Sequence, residues 1–397
     1  MKILVLNCGS STLKFQLIEA ASIKDKYRKL ASGLVDRIGG QASYRFQASG
    51  SQSETKNAEV PSHEAAVRLV IEWLQSKSGR DTIDAVGHRV VHGGDQFVTA
   101  VRIDEAVIAA LESLSDIAPL HNPVALSGIR AARKILGESM PMVAAFDTSF
   151  HHGIPEHAAL YAIPRDLAQK HKIRRYGFHG LAHQYDVVRY AEIVGKRTED
   201  INAVTFHLGN GCSASAIRNG QSIDTSMGFT PLEGLIMGTR SGDLDPALVS
   251  FLARKESVDA AKIEDWLNQS SGLVGLSGIS SDMRELTAAY EKQPRARLAV
   301  DAFCYRARKY LGAYLAALGG AEAVIFSGGI GENSSSVRAK ICSEMEWCGL
   351  RLDSAANEAV RGKDEIISSA ASSLKVAVIH TDEEMIIARA TIRLIGG

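Results

Sequence analysis

MKILVLNCGSSTLKFQLIE, residues 1–19, is the stretch from which the architecture of the chain can be read. Its apolar run Ile3-Leu4-Val5-Leu6 reads as a buried strand, and residues 13–18 form a second strand-like run broken by Lys14. Between them lies Asn7-Cys8-Gly9-Ser10-Ser11-Thr12, a cluster of small, turn-forming residues. The pattern is strand, tight turn, strand. Such a turn aims backbone N–H groups and hydroxyls at one spot, which suits an anion such as a phosphate. Lys14 adds a point charge at its exit, and Asn7 a neutral oxygen at its entrance. An ordinary edge hairpin has the same outline, so the stretch gains weight only if its pattern returns.

It returns at residues 202–217, NAVTFHLGNGCSASAI, where Leu208-Gly209-Asn210-Gly211 stands in place of Leu6-Asn7-Cys8-Gly9. A third turn, Ser327-Gly328-Gly329-Ile330-Gly331-Glu332-Asn333, follows the strand-like residues 323–326 and precedes a helix starting near Ser334. No GxxxxGK[ST] occurs, so none of these is a Walker loop. Two phosphate-type turns in two halves predict a duplicated α/β fold holding a nucleotide in a cleft between the halves.

Around these turns the chain alternates helical and strand patterns. Ser62 can cap a helix whose apolar face is Ala66, Leu69, Val70, Trp73 and Leu74, with Gly79 ending it. Asp104 opens a helix with Val107, Ala110, Leu111 and Leu114 on one side. Asn122 reads as an N-cap and Pro123 as a first helical residue, which sets His121 at a helix start. Residues 47–59 read as a polar loop with little to bury. Residues 141–146 form a strand ending in Asp147, a common position for a functional carboxylate and equally for a helix cap. Residues 224–246 form a long loop rich in Gly, Ser and Thr that carries Arg240, and such loops are usually functional. Residues 296–318 make a long helix stopped by Gly319-Gly320, and 385–394 a last helix packing back on the first half.

At 397 residues there is room for two domains. Lys plus Arg equals Asp plus Glu, 45 each, which leaves no electrostatic footprint for nucleic acid or an anionic membrane. Any anion must be held by local clusters. Cys8, Cys212, Cys304, Cys342 and Cys348 are odd in number with no CxxC pair, against a disulfide framework or a zinc site and in favour of a cytoplasmic chain. Neither a signal peptide nor an apolar run near the roughly 20 residues of a membrane span is visible.

Taken together, the motifs NCGSSTLKF (7–15), GHRVVHGG (87–94), PLHNP (119–123), FDTSFH (146–151), YGFHG (176–180), HLGNG (207–211), GTRSGDLDP (238–246), SDMRE (281–285), GGIGEN (328–333) and TDEE (381–384) resemble the acetate kinase family. That family is part of the acetate and sugar kinase, heat-shock cognate and actin superfamily. Thr12 and Ser149 depart mildly from its pattern, where Ser and Ala are usual. The resemblance implies an actin-like, ribonuclease H-like α/β fold of two duplicated domains with mixed sheets flanked by helices. The expected division is residues 1–150 plus 385–397 for acceptor and phosphates, and residues 151–384 for nucleotide and dimerisation. It implies Mg²⁺, or Mn²⁺ in its place, and reversible transfer of the ATP γ-phosphoryl to acetate, giving acetyl phosphate and ADP. It also implies a homodimer. His207, Leu208, Gly209, Asn210, Gly211, Asp282, Met283, Arg284, Gly329, Ile330, Gly331, Glu332 and Asn333 are then expected on the nucleotide.

The chemistry explains the remaining residues. Acetate is ionised at neutral pH, so the nucleophile needs no base; the difficulty is bringing an anion to a polyanion. Arginine suits this, since its planar fork grips carboxylate or phosphoryl through two bonds. Arg89 and Arg240 are the expected acceptor clamp, His179 a donor to the transferring group, His121 its support, and Lys14 a contact to ATP phosphates. Asn7 and Glu383 are the expected metal pair. Asp147 completes the catalytic set; the family pattern treats it as an acid or base, but the argument above makes it a positioning group for Mg²⁺ and an arginine. By the family pattern Val91, Leu120, Phe178 and Pro231 set acceptor size, with valine at 91 favouring acetate over propionate. A sugar kinase would need neutral polar groups in place of two arginines, and a chaperone- or actin-type switch has no use for a carboxylate clamp.

Overall fold

The structure, a computed structural model, describes residues 1–20, 27–78, 83–118 and 121–396. It divides into two compact units, Met1–His152 with Asp382–Gly397, and Gly153–Thr381.

In the first unit β1 (Lys2–Cys8), β2 (Thr12–Glu19), β3 (Arg28–Asp36), β4 (Gly40–Ala48), β5 (Glu54–Val60), β6 (Ala85–Val90), β7 (Val101–Arg102) and β8 (Met142–Phe146) form one sheet among the described residues, in the order β5-β4-β3-β2-β1-β6-β8-β7. The opening hairpin is as the pattern predicts, with Asn7 paired across to Lys14. Residues 3–8 of β1 are all buried because helices lie on the sheet around it. Helix Asn122–Leu136 contacts β1 and β6, and the C-terminal helix Glu383–Ile395 contacts β1, β6 and β8. A strand flanked this way loses polar alternation and becomes a continuous apolar run. The contact with the last helix is close: a Cβ on Gly87 would fall 2.6 Å from Ile387 Cγ2. Helix His63–Ser78 begins with Ser62 Oγ accepting from the N–H of Ala65 at 3.2 Å. It buries Ala66, Val67, Val70, Ile71 and Leu74, and its Trp73 meets Phe46 at a tilt, ring centroids 5.2 Å apart. Helix Glu105–Ser113 is capped by Asp104, whose carboxylate accepts from Val107 N–H at 2.8 Å.

In the second unit β9 (Ala203–Leu208), β10 (Cys212–Arg218), β11 (Gln221–Thr225), β12 (Ala323–Ser327), β13 (Glu365–Ile366) and β14 (Lys375–Val378) run in the order β11-β10-β9-β12-β14-β13. The series β3-β2-β1-β6-β8 and β11-β10-β9-β12-β14 have one pattern: two antiparallel pairings followed by two parallel ones. The duplicated mixed α/β fold is therefore present in the strand order itself. Helix Pro294–Leu318 contacts β9 and β10, and Gly319 ends it with φ 71°, a left-handed conformation that costs glycine little.

Three local expectations are corrected. Residues 47–59 are not simply a loop: they end β4 and form most of β5. β5 lies at the sheet edge with most side chains exposed, so backbone pairing holds it without an apolar face. Asn122 does not cap its helix; His121 stands at that position. The Asn122 amide instead binds the His92 backbone, accepting from its N–H at 3.2 Å and donating to its C=O at 3.0 Å. The Gly328–Asn333 segment is itself a short helix, because Gly328 (φ 75°) turns the chain directly out of β12.

Candidate active site

In the first unit the parallel strands β1, β6 and β8 deliver polar residues at one end of the sheet. Leu6 is in register with His88, and Val90 with Phe146. The next steps of the chain therefore bring Asn7, Arg89 and Asp147 together. Arg89 grips Asp147 with two bonds, Nε to Oδ1 at 3.0 Å and Nη2 to Oδ2 at 2.6 Å. Its Nη1 donates to Asn7 Oδ1 at 3.1 Å and lies 3.7 Å from Glu383 Oε1. Burial lowers the guanidinium's proton affinity, but the carboxylates of Asp147 and Glu383 outweigh this and hold it above its ordinary value.

The C-terminal helix adds Glu383 and Glu384. Asn7 Nδ2 donates to Glu383 Oε1 at 2.7 Å and to Glu384 Oε1 at 3.2 Å, and Gln16 Nε2 donates to Asp382 Oδ1 at 2.8 Å. Burial, together with the neighbouring Glu383 charge, raises Glu384 to about 7. Asn7, Asp147, Glu383 and Glu384 thus gather oxygen donors, with more buried carboxylate than Arg89 neutralises. This suits a hard divalent cation such as Mg²⁺. Among the described residues no three His, Cys, Asp or Glu side chains make a ready metal cage.

Other expected residues of this unit lie nearby. Val91 is half-buried, directly after β6. His92 is buried, and its Nδ1 accepts from Gly94 N–H at 2.9 Å. Burial pushes it down to about 4, with Asp95 opposing and His121 adding to the fall. Lys14 is exposed and shares a surface concavity with Gln16 and Glu384. Leu120 lies outside the described residues.

In the second unit His179, Gly211 and Arg240 converge. His179 has φ 58° at the start of helix Gly180–Val194, an uncommon conformation for a residue other than glycine. A Cβ on Gly211 would lie 2.8 Å from Arg240 Nη2 and 3.3 Å from His179 Cε1. The glycine therefore keeps space between strands β9 and β10 and these two side chains. His179 Nδ1 lies 2.9 Å from Ser213 Oγ, which is 2.8 Å from His183 Nε2, and His183 Nδ1 is 2.8 Å from Thr205 Oγ1. Arg240 donates through Nη1 to the Pro231 carbonyl at 2.7 Å. Among the described residues no carboxylate pairs with it, and burial lowers its proton affinity. A half-buried guanidinium bonded to a neutral carbonyl is a ready attractor for an anion. Phe178 is buried and Pro231 half-buried in the same stretch of structure.

His207 Nδ1 is 3.1 Å from Ser327 Oγ, which donates to buried Asp186 at 2.5 Å. A cleft of about 820 Å³ is lined by Gly209, Asn210, residues 281–284, Gly329, Ile330 and Asn333, among others. Met283 supplies a buried apolar floor, and Asp282 caps its helix while pairing with exposed Arg284 at 2.6 Å. Leu208 and Gly331 sit behind this wall: a Cβ on Gly331 would lie 3.7 Å from Leu208 Cβ. Glu332 is turned inward, accepting from Gly328 N–H at 3.1 Å and pairing with His380 at 2.6 Å. It braces the short helix from within.

Sequence reasoning passed over Glu384, Gln16, Ser213, His183 and Asp186. Glu384 stood inside the quoted TDEE motif. Ser213 had a signal too, two residues past Gly211 and hence on the same face of β10. Asp186 sits in a helix with no flanking mark, and its role appears only through Ser327.

The model of the acetokinase family matches residues 2–389. An acetate kinase of Chloroherpeton thalassium is 48% identical over 413 residues, covering 100% of this chain and 99% of that protein. The crystal structure of Porphyromonas gingivalis acetate kinase superposes with TM-score 0.91 at 43% identity, covering 99% of each chain. That of a propionate kinase from Francisella tularensis superposes with TM-score 0.92 at 38% identity, over 99% of this chain and 100% of the other. The chain belongs to the acetokinase family and is a phosphotransferase with a carboxyl group as acceptor.

Proposed function

We propose that this protein is an acetate kinase, transferring the ATP γ-phosphoryl group to acetate reversibly and in line. The observation that carries the reading is Arg240, a half-buried cation whose bond among the described residues goes to a carbonyl, beside His179 and the gap kept by Gly211. An acetate oxygen bonds to the γ-phosphorus while the bond to the ADP oxygen breaks. Arg240 and Arg89 offset the repulsion of the two anions, and a comparable arginine in related reactions is worth about 10³ to 10⁵ in rate. His179 donates to a phosphoryl oxygen, held by Ser213. His121 supports that group, and Lys14 meets the phosphates.

Asp147 acts by orienting Arg89, which its bidentate grip supports; no proton leaves acetate. Asn7 and Glu383 hold Mg²⁺, with Glu384 beside them. The ion neutralises phosphate charge when bound. The second unit's 820 Å³ cleft takes the adenosine, with Met283 and Ile330 as apolar contacts. Val91, Phe178, Pro231 and Leu120 limit acceptor size. The free cysteines among the described residues suit a reducing cytoplasm. On helix Pro294–Leu318, Leu298 and Tyr305 are 59% and 63% exposed two turns apart, which supports burial in a homodimer.

The second reading is a propionate kinase, favoured by the likeness to the Francisella tularensis protein. One assay separates them: ATP, Mg²⁺ and hydroxylamine with acetate or propionate, following hydroxamate. Acetate should have the higher kcat/KM. A higher value for propionate assigns the second reading, and no hydroxamate from either acceptor rejects both. Glu383→Gln should raise the Mg²⁺ concentration needed for half-maximal rate.

A further inference from the structure

Residues 226–246 carry Pro231 and Arg240 without regular secondary structure. Three side chains nevertheless pin this loop. Arg175 Nη2 donates to Glu233 Oε1 at 2.7 Å, and its Nη1 donates to the Thr225 carbonyl at 2.9 Å. Tyr161 donates its hydroxyl to Glu233 Oε2 and accepts from Phe229 N–H at 2.8 Å. The Arg175 guanidinium lies 5.7 Å from the Tyr161 ring centroid, and its Nε is 3.8 Å from Asp224.

Gly228 leaves the room for this meeting. A Cβ there would fall 1.7 Å from Glu233 Oε2 and 2.0 Å from the Tyr161 hydroxyl. The Gly228 carbonyl accepts from the N–H groups of Tyr176 and Gly177 at 3.1 and 3.2 Å. The segment bearing Phe178 and His179 is thereby locked to the one bearing Pro231. Two residues before Glu233, the Pro231 carbonyl is the acceptor that orients Arg240.

We propose that Tyr161, Glu233 and Arg175 form a positioning triad that sets the aim of Arg240 and the spacing of Phe178 from Pro231, and with them the choice of acceptor carboxylate. The acceptor half of this statement rests on the acetate kinase reading; the aim of Arg240 does not. None of the three need touch a reactant. They act by holding a loop that has no helix or strand of its own to hold it. A misplacement of about 1 Å near reacting atoms costs about 10²-fold in rate, so small slackening is enough.

The test uses the full chain with Glu233→Gln, which keeps shape and removes charge. Its first arm needs no turnover. Phenylglyoxal modification of Arg240, followed by peptide mass spectrometry, should run about threefold to tenfold faster in the variant, as loss of one ordering hydrogen bond predicts. An unchanged rate overturns the triad. In the second arm, kcat/KM for acetate should fall about tenfold to hundredfold, with KM for ATP unchanged and the propionate-to-acetate ratio shifted. A loss shared equally by ATP and both acceptors overturns the positioning role. If the unaltered protein phosphorylates no acetate, the function reading fails, and the Arg240 arm still decides the triad. Tyr161→Phe, which removes a single hydroxyl, carries the same two arms should Glu233→Gln fail to fold.

Discussion

Replacing Asp147 by Asn separates a positioning carboxylate from a proton-transferring one. In the protein as it stands, both Asp147 oxygens accept from Arg89, at 3.0 and 2.6 Å. The amide keeps one acceptor and turns a donor toward the guanidinium at the other. The pair is largely shielded, with 18% of the Arg89 side chain and 1% of that of Asp147 exposed. Breaking a buried pair from one side costs about 3–5 kcal/mol. Asn7 Oδ1 at 3.1 Å and Glu383 at 3.7 Å still serve Arg89, which places the loss near the lower end. About 3 kcal/mol, if it falls on the transition state, is about a hundredfold in kcat/KM. The hydroxamate assay, with acetate varied from about pH 5 to about pH 9, should show a raised acetate KM, a lowered kcat and a pH profile of unchanged shape. If Asp147→Asn instead abolished one ionisation in kcat while acetate KM and Mg²⁺ requirement stayed the same, Asp147 would move a proton and the electrostatic argument would be wrong.

Gly211→Ala pushes a methyl group to within 2.8 Å of Arg240 Nη2; activity should fall about tenfold and the thermal midpoint should drop by a few degrees, since local overpacking costs about 1–3 kcal/mol. An unaffected rate would remove that gap from the reaction. His88 is buried in β6, and burial pushes it from 6.5 down to about 3. Between those values the unfolded chain binds a proton that the folded one does not, so stability is lost as pH falls below the unfolded value, by about 1.4 kcal/mol per pH unit. Denaturant unfolding between about pH 4 and about pH 7 should show His88→Gln with a slope shallower by one proton; equal slopes would contradict this. Val91→Ala should raise the propionate-to-acetate ratio of kcat/KM about tenfold, the lower end of what one methylene is worth in an apolar pocket. A constant ratio would take Val91 out of the acceptor pocket.

Local signals were legible wherever a residue's neighbours in sequence are also its neighbours in space. The hairpins around Asn7 and Asn210, the Asp104 cap and the Gly319 stop depend on contacts a few residues apart. Failures came where a tertiary partner outbid a local preference. Asn122 has the chemistry of an N-cap, yet a distant backbone, that of His92, took both ends of its amide. β5 carries no apolar alternation because its neighbour β4, and not a core, holds it.

By itself the amino-acid order determined the duplicated strand–turn–strand plan, the glycine-rich turns and the pool of charged groups from which a site could be drawn. Only the tertiary structure decided which of those groups meet. Asn7 and Glu383 are 376 positions apart yet 2.7 Å from one another. Arg89 is paired twice with Asp147, while Arg240 is left with a carbonyl. The physical reason is that a charge's worth depends on its partners and its burial, and both are set by how strand ends and helix starts are brought together, not by spacing along the chain.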